Sequence, residues 1–175
     1  NQVKEFATVS QMVEFSTMIS TTNKAKNKSI FSRIKTVDEN YPLFGKVGYE
    51  PSGAFEKLQT TENTILVNEN IFKNLALEIN DKIKVQDQLF TVIGIVKSVP
   101  DIGGAFVFGD FALAGKQTLE LLKLNNLGSF LNYEYKVKFN DGDSPKVLSK
   151  KIEQLFKDEK KVRLRYHEKS DGPLK

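Results

Sequence analysis

Few side chains in this sequence could do chemistry, and their spacing argues against it. His167 is the only histidine. It lies in the polar tail HEKSDGPLK, where a serine nucleophile would find no oriented base. The lack of cysteine removes thiolate nucleophiles, disulfides and the usual zinc and copper ligand sets, leaving carboxylate sites for hard cations. It does not identify a compartment. Asp141 and Asp143 around Gly142 hint at a cation loop, but the closing glutamate of an EF-hand is missing, so they read as a turn. Asp38-Glu39 and Asp158-Glu159 are sequence neighbours, and neither pair can face across a substrate as an acid and a base must. DIGGAFVFGD is rich in glycine, yet it has no lysine and hydroxyl residue entering a helix, which a phosphate cradle needs. The expectation is a chain with no catalytic residue, no metal and no cofactor, and not an enzyme.

What remains is the chemistry of contact. In SVPDIGGAFVFGDFALAGKQ, Gly103, Gly104, Gly109 and Gly115 stand among Phe106, Phe108 and Phe111. Such a stretch is either an ordinary loop tucked into the core or a mobile apolar contact surface. Phe106, Phe108 and Phe111 are therefore the candidate residues for meeting a partner. A net charge of +4 comes from 26 basic and 22 acidic residues, interleaved rather than massed, which is a weak nucleic-acid footprint. Lys150, Lys151, Lys157, Lys160, Lys161, Arg163 and Arg165 read as a solvated helix face. KSIFSRIK and NYEYKVKF interleave aromatic and basic residues only faintly. A free-standing soluble module binding nucleic acid or acidic partners is the alternative to the reading developed below. No run reaches the roughly 18 apolar residues of a membrane span, and Asn1 opens no signal peptide. A first residue other than methionine points to a processed chain or a piece of something longer.

The elements that must position these residues are clearest between Asn63 and Asp101. Thr64–Val67 favours a strand, Asn68 is a helix N-cap, and Glu69 suits the positive end of the helix dipole. Ile71, Phe72 and Leu75 form the stripe of a short helix, ended by Asn80-Asp81. Ile83 and Val85 alternate with lysines, Gln86-Asp87-Gln88 turns, and LFTVIGIV returns as a strand apolar on both faces, the mark of a central strand. Before this block, the spacing predicts strands from about Ser10 to Ile19 and from Ile30 to Val37. Residues 49–62 show no period and read as a connector. After it, a helix is expected over Gly115–Leu124, a strand over Asn132–Phe139, and a helix capped by Ser144 with Pro145 first, running to about Lys157. A last strand is expected over Val162–Tyr166.

Three phrases in this order, VEFSTMIS, IKTVDENYPLFGKV and ILVNENIFKNLALEINDKIKVQDQLFTVIGIVKSVPDIGGAF, resemble the extracytoplasmic domain of FtsX-like ABC transporter permeases, the MacB-like periplasmic core domain. Val37, Asp38, Tyr41, Pro42, Leu43 and Gly45 match one family phrase. Leu66, Val67, Asn68, Leu75, Asp81, Phe90, Val92, Gly94, Ile95 and Val96 match the next. The wording around Tyr41-Pro42-Leu43 and the later Pro100-Asp101 look most like the YbbP branch. Asn80 stands where the family often has glycine, and asparagine tolerates the same left-handed turn. Family members carry a transmembrane helix and a leading segment upstream, so a soluble piece of such a permease is expected here.

The resemblance implies an α+β fold in two lobes. Residues 1–48 and 128–175 would form a discontinuous porter-like lobe, and 49–127 a smaller inserted α/β lobe. It implies an inner-membrane protein whose domain lies on the periplasmic side and transmits motion from a cytoplasmic ABC ATPase. The implied partners are that ATPase, a second permease domain or copy, and a periplasmic partner protein or lipid-like cargo, with no nucleic acid.

Overall fold

The computed structural model describes residues 7–23, 27–100, 109–124, 130–139 and 145–155. The chain divides into two compact units, Ser10–Lys136 and a smaller one of Asn1–Val9 with Val137–Lys175. The described elements are, in order, β1 (Ala7–Thr21), β2 (Ser29–Val37), β3 (Gly48–Glu50), α1 (Ala54–Thr60), β4 (Thr64–Asn68), α2 (Glu69–Asn74), β5 (Lys82–Val85), β6 (Gln88–Ser98), β7 (Phe111–Gly115), α3 (Thr118–Leu121), β8 (Asn132–Phe139) and α4 (Pro145–Leu155). The fold is mixed α/β and dominated by its sheet.

In the larger unit the sheet closes on itself. β1 pairs with β2, β2 with β7, β7 with β4, β4 with β6, β6 with β5, and β5 with β1 again. Closure depends on two long strands. Ile19–Thr21 of β1 reaches β5 beyond most of the β2 pairing. On β6, Gln88–Thr91 pairs with β5, and Thr91–Val96 pairs with β4. β3 adds to the far half of β6, and β8 lies beside β1.

Alternation then sorts the side chains, because residues two apart share a face. Val13, Phe15, Ile19, Ile34, Ile65, Val67, Ile83, Val85, Phe90, Val92, Ala112 and Ala114 fill the inside of the ring, and Ile71, Leu75, Leu119 and Leu122 extend that cluster at α2 and α3. The opposite faces of β4 and β7 are buried as well. Leu66, Phe111 and Leu113 pack with Met12, Tyr41, Val96 and, from α1, Ala54, Phe55 and Leu58. A β-bulge joins the two cores. Ile65 lies opposite Val92 but Leu66 lies opposite Gly94, so Ile93 is the extra residue and the second half of β6 changes face. A Cβ on Gly94 would meet Glu50 O at 2.4 Å, Leu66 Cδ2 at 2.9 Å and Ala54 Cβ at 3.1 Å, so glycine is what lets β3 and α1 approach.

Several local expectations appear in the fold with their chemistry. Asn68 Oδ1 accepts from the Ile71 amide at 3.1 Å, capping α2. Asn80 adopts φ 76°, and its amide donates to Val92 O at 2.7 Å while the Val92 amide donates to Asp81 O at 2.9 Å. α4 opens on Pro145 and buries Ile152. Ser144, His167 and the strand expected over Val162–Tyr166 lie outside the described residues.

Three readings need correction. Residues 49–62 are no bare connector, since they contain β3 and α1; a helix of seven residues makes two turns and shows little period. FALAG is β7, apolar on both faces because both are covered, which hides the alternation. The helix expected over Gly115–Leu124 is only Thr118–Leu121. The larger unit begins at Ser10 and ends at Lys136. Its first two strands pair with β5 and β7, joining residues distant in sequence.

Candidate contact surface

Phe111 is not at a surface. It is fully buried in β7 and belongs to the outer core with Leu113 and Leu58, so the core alternative for that aromatic holds. Phe106 and Phe108 lie outside the described residues. The ends of the stretch that carries them are pinned: Pro100 packs on Gly45, and Gly109 O accepts from Asn68 Nδ2 at 2.8 Å.

The phrase from Val37 to Gly45 is a clamp. Asp38 receives three donors, Ser10 Oγ at 2.8 Å, the Gln11 amide at 2.7 Å and the Asn40 amide at 3.2 Å, tying the end of β2 back to β1. Gln59 of α1 donates to Asp38 O at 3.1 Å and Tyr41 O at 3.0 Å. Tyr41 sinks its ring into the outer core 6.3 Å from that of Phe55. Gly45 sits at φ 74°, and a Cβ there would come within 2.5 Å of Pro100 Cβ. The family phrase thus touches Pro100, and the Asp38 carboxylate and the carbonyls of Asp38 and Tyr41 are engaged in holding the fold. Among the described residues no buried side-chain polar atom is unpaired, and no group of three His, Asp or Glu could hold a metal ion.

The exposed apolar residues lie elsewhere. Down the outer face of the β1–β2 hairpin, Met12 opposite Val37 is buried in the outer core, then come Glu14 opposite Lys35, Ser16 opposite Arg33, Met18 opposite Phe31, and Ser20 opposite Ser29. Phe31 is 63% exposed and Met18 47%. Phe31, Leu124, Phe130 and Leu131 line a cleft of about 490 Å³, with Glu14 and Gln86 at its wall, and Phe130 is 99% exposed. Sequence reasoning missed this surface although a signal was present. With Ile30 and Ile34 on one face of β2, Phe31 falls on the other with Arg33 and Lys35, an aromatic on a charged face.

Several charges on the larger unit are matched. Lys97 bridges Glu50 at 2.8 Å and also Glu69, which Lys73 holds at 3.2 Å. Hydrogen bonds from Lys97 and then Lys73 hold the Glu69 carboxyl below its ordinary value, and Glu50 and then Glu69 raise Lys97. Lys116 pairs with Glu39 at 2.6 Å, and that bond raises it. Lys84 pairs with Asp87, and the buried Lys35 lies 3.9 Å from Glu134. Tyr49 donates to Glu56, which pushes its hydroxyl upward.

Comparison with known proteins agrees with this architecture. Residues 1–155 match the MacB-like periplasmic core domain. The periplasmic region of MacB from Actinobacillus actinomycetemcomitans is similar in fold, with a TM-score of 0.61 at 17% identity over 87% of this chain and 67% of that one. The extracellular domain of the noncanonic ABC-type transporter YknZ from Gram-positive bacteria superposes with a TM-score of 0.61 at 11% identity, over 89% of this chain and 77% of that one. Comparison with curated proteins finds no match. Among the described residues no helix is long and apolar enough to cross a membrane. With the match covering most of the chain, this protein belongs to the MacB-like periplasmic core domain family, the periplasmic domains of ABC-type transporter permeases.

Proposed function

We propose that this domain turns motion driven by a cytoplasmic ATPase, and relayed through the membrane part of its permease, into altered contact with a periplasmic partner protein or lipid-like cargo. No bond is made or broken in it. The observation that supports this is an exposed cleft on a closed, hydrogen-bonded barrel: Phe31 stands out from β2, and Phe130, just ahead of β8, lines the same cleft. Contiguous exposed apolar groups mark sites of contact. Phe106 and Phe108 are kept as further contact residues on their glycine-aromatic composition. The YbbP-like wording around Tyr41-Pro42-Leu43 favours a permease carrying two such domains, so a second domain or copy is a further partner.

The test uses the intact permease with its ATPase. Replacing Phe31 and Phe130 by serine should lower transport or partner capture at least about fivefold, the range of a few contact residues, while ATP hydrolysis and the domain's melting temperature are kept. Full transport by that double variant overturns the assignment of the surface. Transport that persists when the ATPase is inactive overturns the coupling itself.

A further inference from the structure

We propose that Met18 is an oxidant-sensitive modification site on the outer face of the barrel, converted by peroxides to methionine sulfoxide while Met12 is spared. The chain has two methionines and no cysteine, so reversible oxidation of sulfur in it is confined to these two thioethers. Both lie on the outward side of β1, in opposite environments. Met12 is 1% exposed within the outer core, and Met18 is 47% exposed. Across the strand pair Met18 stands opposite Phe31, itself 63% exposed and part of the cleft wall.

The reaction is a transfer of oxygen. A lone pair on the Met18 sulfur attacks one oxygen of hydrogen peroxide, the S–O bond forms as the O–O bond breaks, and the second oxygen leaves as water after taking up the proton. Sulfur is oxidised by two electrons and the peroxide reduced by two. The sulfoxide is polar where the thioether was apolar, so the modification changes the apolar outer surface and leaves both buried cores untouched.

The test treats the purified chain with hydrogen peroxide and maps peptides by mass. Met18 should gain one oxygen about tenfold or more faster than Met12, following access to the thioether. In denaturant the two should react at equal rates. Equal rates in the folded chain, or a folded Met18 that resists, overturn the proposal. As a second arm, the oxidised chain and the M18Q variant should keep the melting temperature of the untreated chain while binding less ANS, a probe of exposed apolar surface; M18L should keep its ANS binding after peroxide. A marked fall in melting temperature on oxidation, or unchanged ANS binding, overturns the surface role. Neither arm needs the permease or its ATPase, so failure here is distinguishable from failure of the coupling proposal.

Discussion

The barrel wall is buried on its inner side and, around β4 and β7, on its outer side as well, and the two cores are built on different principles. Inside, Phe15, Ile34, Ile65, Phe90 and Val92 come from strands that face one another across a ring, and period-two alternation places each of them. Outside, Tyr41 comes from a turn, Phe55 and Leu58 from a seven-residue helix, and Phe111 and Leu113 from a five-residue strand. These pieces have no shared period, and polar bonds hold them in register: Asp38 to β1, Gln59 to the turn. Burial on the inside follows from the pattern, whereas burial on the outside depends on clamps. An aromatic among glycines can therefore belong to either a core or a contact surface, and Phe111 belongs to the core.

The sharpest way to break this comparison is to empty each core in turn. Phe90→Ala and Phe111→Ala both remove fully buried rings, and each should cost about 3–5 kcal/mol in urea denaturation. A loss under about 1 kcal/mol at Phe111 would be that of a surface residue and would return it to the contact role. Next, Gly94→Ala forces a methyl against Glu50 O and Leu66 at the point where the two cores meet, and should cost about 1–3 kcal/mol. Asp38→Ala strands the Ser10 hydroxyl and two amides, costing about 1–3 kcal/mol. Hydrogen exchange should quicken at the Gln11 amide while β5 stays protected. Equal deprotection in both places would mean the clamp serves the whole barrel rather than its outer layer.

Smaller effects belong to exposed groups. Phe31→Ser should change stability by no more than about 0.5 kcal/mol, read by thermal melting, because the ring lies outside both cores. The pairing of Glu69 with Lys97 and Lys73 gives the smallest effect and has a definite sign. The folded carboxyl is held below 4.5, so its contribution is full above that value and is lost as pH falls through the lowered one. Melting curves of the native chain and E69Q should converge in that acid range and at high salt. A gap between them that persists at high salt would mean the pair is not a screened surface contact.

Much of the inner barrel was legible because local chemistry and final position agree. Asn68 caps a helix in any context that offers it an amide, Asn80 takes a left-handed turn, and Ile83 and Val85 alternate with lysines because one face of β5 is wet. The outer layer was not legible. α1 is too short to display a period, and β7 reads as a loop because a strand covered on both sides has no polar alternate. The contact surface was half legible: Phe31 stood on a charged face, but nothing in its neighbourhood announced Phe130, about a hundred residues away in sequence.

By itself the amino-acid sequence determined which segments turn, which cap and which alternate, since those depend on side chains within a few residues, and the order of its phrases identified the family. Only the tertiary structure decided that the sheet closes, that Asp38 and Gly45 are spent on β1 and Pro100, and that Phe111 is dry while Phe31 is wet. Those outcomes depend on which distant strand covers which face, a contact that neither partner's local sequence encodes alone.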